Sequence, residues 1–376
     1  MTRKILALFV ACMLVPIWPV FADKPRDGIS YIFNFYGDNG NNRVIAPSVA
    51  LSKKLSDTYY LGANLGVDAI TSATKKTSTT TSTASGEEGG DEAGNLHLRV
   101  PASLSLTYDK DDDTLTGGGY YSYENTYTGR SLFAAYTRRM NLNNTALGIA
   151  FSKSFDNWIP DRQLSTDRRS ERALDMTLTQ LLSPRQSMQF VFSSLQSEGF
   201  LAQPTDAFVT SAFTIYAQYP DTRKGSAAAV RLVTLLNEPT SFHIYYRYYR
   251  DDWHIQSDTV NLELYRDISR SLVLGARYRY YRQSASFFAK PLNAYTPSDP
   301  LVAVDYRMYA FHSNTVGLMA IVKPSRPLLR KFDADKLKLK LSADVFTTSK
   351  HENIQYLYNT DRLTGLFASI TLEYDF

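Results

Sequence analysis

Leu366-Phe367-Ala368-Ser369-Ile370-Thr371-Leu372-Glu373-Tyr374-Asp375-Phe376 closes the chain. Its even positions run Leu, Ala, Ile, Leu, Tyr, Phe, and its odd positions from Ser369 run Ser, Thr, Glu, Asp. Successive side chains of a strand point to opposite faces, so this period of two predicts a strand whose two faces meet different solvents. At the edge of a soluble sandwich, so flat and apolar a terminal strand would template aggregation. In the wall of a closed barrel, lipid takes the apolar face, the lumen takes the polar face, and no edge is left. The aromatic pair Tyr374 and Phe376 suits the girdle at a membrane interface.

The same pattern recurs upstream. Tyr59, Leu61, Ala63, Leu65 and Val67 alternate with Tyr60, Gly62, Asn64, Gly66 and Asp68. Leu272, Leu274, Ala276, Tyr278 and Tyr280 alternate with Gly275, Arg277, Arg279 and Tyr281, and Leu337 to Val345 behaves alike. Segments of about ten or more residues match the length a tilted strand needs to cross a bilayer. Strands are predicted at 28–36, 43–54, 58–72, 96–109, 114–126, 130–140, 144–156, 172–182, 186–197, 226–237, 240–250, 255–267, 271–284, 308–322, 336–348 and 363–376. The fold class is therefore all-β: a transmembrane antiparallel barrel of about sixteen strands, with fourteen as the alternative. Short polar joints are expected on the periplasmic side. Long extracellular loops are expected near 73–95, 157–171, 198–225, 285–305 and 349–362.

The N-terminus reads as an export signal. Arg3 and Lys4 precede the apolar run Ile5 to Val20, and Val20-Phe21-Ala22 offers a cleavage site. Pro16 and Pro19 interrupt the run, which disfavours a membrane anchor, and lipoprotein processing at Cys12 fits its flanks poorly. Residues 1–22 are thus expected to be a cleaved signal peptide, and 23–376 a single barrel domain with a low-complexity surface loop at 74–94. Cleavage would remove the sole cysteine, and with it a disulfide framework, a thiol nucleophile or a thiolate metal site. Without Arg3 and Lys4 the 41 basic residues become 39, against 37 acidic, a near balance that gives no support for nucleic-acid binding. Abundant Tyr (26) and Phe (20) with a negative mean hydropathy fit aromatic girdles around a polar interior.

Tyr246-Arg247-Tyr248-Tyr249-Arg250-Asp251-Asp252-Trp253 and Tyr278-Arg279-Tyr280-Tyr281-Arg282-Gln283-Ser284-Ala285 repeat one element. With Asp305-Tyr306-Arg307-Met308, Asn314-Thr315-Val316-Gly317, Ser122 to Tyr127 and Tyr219 to Arg223, they resemble a family of Gram-negative outer-membrane β-barrel proteins of unknown function. The resemblance runs from about Ser30 to the C-terminus and implies fold and location, with no activity to carry over. The terminal Leu372, Tyr374 and Phe376 are similar to the assembly signal of such barrels, which implies the barrel assembly machinery and outer-membrane lipid as partners.

Strand phase nominates the lumen wall. If Leu272 to Tyr280 face lipid, Arg277, Arg279 and Tyr281 face inward. The same phase turns Arg231, His243, Tyr245, Arg247, Tyr249, Lys338 and Lys340 inward. Such a basic and aromatic stripe either favours anionic solutes, as charged rings do in pores, or pairs with the lumen acids Glu263 and Asp344. No catalytic residues, metal or cofactor are expected: the five histidines are scattered and no Gly-x-Ser-x-Gly element occurs. Asp109 to Asp113 imitates a calcium loop, but Thr114 and Tyr120 stand where its glycine and closing glutamate belong. Gly117-Gly118-Gly119 reads as close packing within a strand. The expected function is a pore for small solutes, anionic ones included. The alternative is a non-conducting barrel that docks a periplasmic or surface protein.

Overall fold

In the computed structural model the alternation becomes a closed wall. The structure describes residues 26–72, 96–124, 127–158, 167–202, 207–209, 213–324 and 336–376; the expected signal peptide at 1–22 and the whole of the low-complexity loop at 74–94 lie outside them. The first strands are β1 (Gly28–Asp38), β2 (Asn42–Lys54) and β3 (Tyr59–Gly66, continuing as Asp68–Ser72). Next come β4 (Leu96–Lys110), β5 (Asp113–Glu124), β6 (Tyr127–Met140), β7 (Thr145–Trp158) and β8 (Asp167–Ser183). The second half holds β9 (Gln186–Gly199), β10 (Thr222–Asn237), β11 (Thr240–Asp251), β12 (Gln256–Ser269) and β13 (Leu272–Gln283). The wall finishes with β14 (Phe311–Val322), β15 (Leu337–Thr348) and β16 (Thr364–Asp375).

Each strand pairs antiparallel with its sequence neighbours, and β16 returns to β1 over eleven rungs, from Asp375 opposite Gly28 to Gly365 opposite Asp38. Closure leaves no unpaired edge, the condition for lying in lipid. Within β3 the ladder lapses at Val67. Pro47 and Pro101 flank it on β2 and β4 and have no N–H to donate. Register is unchanged across the lapse (Leu65 opposite Ala102, Asp68 opposite Arg99), so there are sixteen wall strands and the fourteen-strand alternative falls.

Outward positions form a continuous aliphatic and aromatic belt. Leu132, Val316 and Leu318 are each more than 60% exposed, an exposure that only an apolar solvent makes favourable. Inside, Tyr36, Val44 and Ile70 form one small buried apolar cluster. Polar and glycine positions line the wall, and Gly118 is one of them: a Cβ there would meet the Phe133 ring and the Leu104 carbonyl at 2.5 Å.

The two ends differ. At one, turns at 55–58, 111–112, 141–144, 184–185, 238–239 and 270–271 are tight, although 323–336 is longer. At the other, the connections 73–95, 159–166, 200–221, 284–310 and 349–363 are long, but 39–41, 125–126 and 252–255 are as tight as any. The expected asymmetry therefore holds for five connections of eight.

Four strand limits were read too short or too long. Strands β8 and β10 begin at Asp167 and Thr222 rather than 172 and 226. Their charged first residues, which look like loop, are held by wall ion pairs: Arg169 to Asp156 and Arg223 to Asp251. β6 begins at Tyr127, not 130, with Tyr127 opposite Trp158. β14 begins at Phe311, not 308, because Asp305 accepts from the Arg307 N–H at 2.9 Å and turns Tyr306–Met308 into a 3₁₀ turn.

Candidate functional site

The ladder register sets which side chains share the inner face. One row runs Gln189, Arg231, Tyr245, Asn261, Arg279, Thr315 across β9 to β14. The adjacent row toward the long-loop end runs Val191, Ala229, Arg247, Thr259, Tyr281, Ser313. On the other side lie His243, Glu263, Arg277, Gly317 and Asp344. Tyr249 sits one rung above Arg247, on the row of Ala227 and Ser257. Lys338 and Lys340 share the inner face of β15 with Asp344, nearer the short-turn end. The twelve sequence candidates thus occupy one face.

The ion pairs divide them. Eight arginines lie on the inner wall, and five are locked to aspartates. Arg139 reaches Asp109 at 2.8 Å, Arg169 reaches Asp156 at 2.5 Å, and Arg223 reaches Asp251 at 2.6 Å. Arg99 pairs with Asp68, and Arg277 forks onto Asp344. Lys338 and Lys340 share Glu373, at 3.5 and 2.5 Å. Arg231 has instead an imidazole: its Nη2 lies 3.2 Å from His243 Nδ1, which stands 3.4 Å from Glu263. Arg247 and Arg279 have no carboxylate within ion-pair distance among the described residues. Arg247 instead packs over the Tyr249 ring, 5.5 Å from its centre. The Asp109–Asp113 segment is likewise committed. Asp109 holds Arg139 and Thr114, and Asp113 holds Arg138 and Tyr136, across a tight hairpin with Asp111 at φ 52°.

Above this wall sits a feature that strand periodicity does not signal. Residues from the connections 200–221, 252–255, 284–310 and 349–363 pack into one apolar cluster around Trp253, Phe288, Tyr295 and Val302 to Val304. Gln218 and Val302 bridge two of the connections. The buried Tyr295 hydroxyl accepts from the Lys290 and Ala303 N–H groups and donates to Phe288 O at 2.8 Å. α1 (Glu352–Tyr358) covers the far side, its Asn353 Nδ2 donating to Val304 O at 2.9 Å. The cap turns inward onto the wall. Gln283, on the inner face of β13, donates to Arg307 O and Tyr309 O at 2.7 and 2.8 Å. Tyr306, with Ile354 and Leu363, rests on the inward ring of Phe346, which belongs with Tyr36 and Phe367 to a second aromatic layer.

Within the cap Arg307 is sealed beside Asp305, Nε to Oδ2 at 2.8 Å, while its Nη1 has no hydrogen-bond partner. Burial disfavours the Arg307 charge, yet the facing Asp305 carboxylate holds its pKa above the ordinary arginine value. Burial also pushes the Tyr306 and Tyr309 hydroxyls well above the usual tyrosine range. The long loops 198–225 and 285–305 are the two that sequence length leaves free to fold inward as a constriction, and residues of both pack into this cap.

At the chain terminus, Leu372 and Tyr374 face outward opposite Tyr31 and Ile29, and the Phe376 N–H donates to Asp27 O at 3.0 Å.

Among solved structures, a bacterial polysaccharide outer membrane secretin shares the fold at TM-score 0.52 and 9% identity, covering 94% of this chain and 100% of its own. A loop L8 deletion mutant of OmpT from Vibrio cholerae superposes at TM-score 0.49 and 8% identity, covering 93% and 98%. The outer membrane channel DcaP of Acinetobacter baumannii superposes at 0.46 and 13% identity, covering 93% and 96%. No curated protein matches the sequence. Two overlapping stretches, 22–166 and 157–356, match one family, and the chain belongs to that family, described as Protein of unknown function (DUF3570).

Proposed function

We propose that this chain is a pore of a Gram-negative outer membrane, its long-loop end extracellular, which passes small solutes and favours anionic ones. The observation that carries the reading is the partition of the inner arginines: five have aspartate partners, while Arg231, Arg247 and Arg279 stand together on β10 to β13 with none. Arg231 reaches the Glu263 carboxylate through His243, but a guanidinium on a partly desolvated wall without a counter-charge, as at Arg247 and Arg279, is unfavourable unless something supplies the charge. A passing anion does so, with Tyr245, Tyr249 and Tyr281 offering hydroxyls and ring faces beside it. The paired residues Arg277, Asp344, His243, Glu263, Lys338 and Lys340 hold the wall on either side. Sixteen strands enclose a lumen wide enough for water unless filled. Leu372, Tyr374 and Phe376 would serve assembly, an interpretation resting on sequence similarity alone.

The test is planar-bilayer recording of the refolded mature barrel with selectivity read from the reversal potential. One charge at 4 Å is worth ~1 kcal/mol even in water. R247Q/R279Q should therefore lower the anion-to-cation permeability ratio by about fivefold or more. An unchanged ratio would remove these arginines from the conduction path.

The packed cap favours a second reading, a non-conducting barrel that docks another exported protein. A correctly folded wild-type barrel that never conducts would support it over the pore.

A further inference from the structure

The outward face carries charge that the lumen does not use. On β2 to β5 the lipid-facing positions stay apolar almost to the strand ends, as at Val67, Leu98 and Tyr123. On β7 to β11 they do not. Lys153 lies opposite Arg172, Arg172 opposite Gln196, and Gln196 opposite Lys224, one ladder row with three cations across four strands. The next row runs Ser194, Ser226, Arg250 and Gln256. That row starts from Phe151 and Leu174, and below it the belt resumes with Ile149, Met176, Phe192 and Tyr248.

Arg172 is answered by Glu198 at 2.9 Å, but Lys153, Lys224 and Arg250 form no ion pair among the described residues. A half-open pocket of about 580 Å³ separates the two rows, lined by Ser194, Gln196, Lys224, Ser226, Arg250 and His254. Of its two acids one is engaged elsewhere and the other stays beside Lys224. Asp251 faces inward to Arg223, and Asp252 Oδ1 accepts the Lys224 backbone N–H at 2.9 Å.

A cation on the lipid face is costly at mid-bilayer and costs nearly nothing at the interface, so these rows mark the headgroup level. Lys224 and Arg250 lie within two residues of the long-loop ends of β10 and β11. Given the orientation of the pore reading, on which this step rests, the headgroups met there are those of the outer leaflet. We propose that this sector binds the phosphorylated glycolipid of that leaflet, a phosphate seated between Lys224 and Arg250. Lysine meets phosphate as a point charge and arginine as a two-pronged donor, with the serines and glutamine completing the shell.

Native mass spectrometry of the full mature barrel, with folding checked by heat-modifiable gel mobility, tests the site. The probes are diphosphorylated lipid A, its enzymatically dephosphorylated form, and phosphatidylglycerol. Wild type and R138A, a cation near the other end of the belt, should retain diphosphorylated lipid A. K224A/R250A should retain it at least tenfold less, as should wild type given the dephosphorylated probe. Equal retention by K224A/R250A, or of phosphatidylglycerol and the dephosphorylated lipid, overturns the proposal. Conductance recorded on the same preparations keeps the two readings apart. Lost adducts with unchanged channels leave both standing, and absent wild-type adducts with intact channels defeat only this one.

Discussion

Gly317 has no side chain because Asp344 occupies its place: a Cβ there would lie 1.8 Å from Asp344 Oδ1. The bare glycine lets the Asp344 carboxylate cross β14 and reach Arg277 on β13. Asp344 is nearly sealed while Arg277 is about a fifth exposed, so removing the acid leaves a partly buried, uncompensated cation. D344N is expected to cost about 3 kcal/mol in a urea folding titration in lipid vesicles, and G317A a comparable amount by pushing the carboxylate aside. R277M/D344L, which removes both charges, should lose less than D344N alone. A double variant worse than the single one would mean that the pair contributes net attraction beyond its own desolvation. The contrast with Arg247 and Arg279 is chemical: Arg277 has its counter-charge built into the wall, while Arg279, two residues along the same strand, and Arg247, two strands away, have no carboxylate within ion-pair distance among the described residues.

At the level of elements, the barrel was legible because its signal is local. Each strand states its own phase, and that phase on β10 to β13 and β15 puts Arg231 through Lys340 on one face. The ion partners were less legible. Glu373 for Lys338 and Lys340, or Asp251 for Arg223, needs the register between strands, which no single strand contains. The cap was the least legible, because Trp253, Phe288, Tyr295 and Val302 meet only after four separate connections converge. Its helix α1 shows what sequence pattern misses: the N-cap is a histidine, His351, whose Nδ1 accepts the Asn353 N–H at 3.1 Å. Half-buried against the Tyr309 ring, His351 has its pKa lowered by burial, with the neighbouring Glu352 opposing weakly; the adjacent Asp361 is turned to Lys350. A depressed histidine favours the folded cap while neutral. That stability is complete above the unfolded value near 6.5 and is lost as pH falls below it. Amide exchange across 352–358, corrected for intrinsic rates, should therefore be faster at pH 5 than at pH 7.5. H351N keeps a neutral capping acceptor and should abolish the difference. A pH dependence that survives in H351N would place the titrating group elsewhere.

For the whole molecule, the question is whether the cap belongs to the conduction path. It rests on the inner face from β11 round to β16 and β1, through Gln283, Phe346 and Tyr36, so it narrows one side of the mouth. Trp253 pins it. The side chain is 3% exposed, donates from Nε1 to Thr222 O at 2.8 Å, and packs against Tyr219, Phe288 and the Arg223 guanidinium. It projects from a turn beyond the ladder, so the wall does not depend on it. W253A should loosen the cap by roughly 3–5 kcal/mol while sparing the barrel. If the cap gates the pore, single-channel conductance rises and closures shorten, and limited proteolysis cuts within 284–310. If the loops become cleavable yet conductance is unchanged, the cap roofs the wall without obstructing the lumen. If wild type is silent and W253A conducts, the same contacts that close the mouth also reconcile a pore-sized barrel with a docking role, because a partner that binds the cap would then be what opens it.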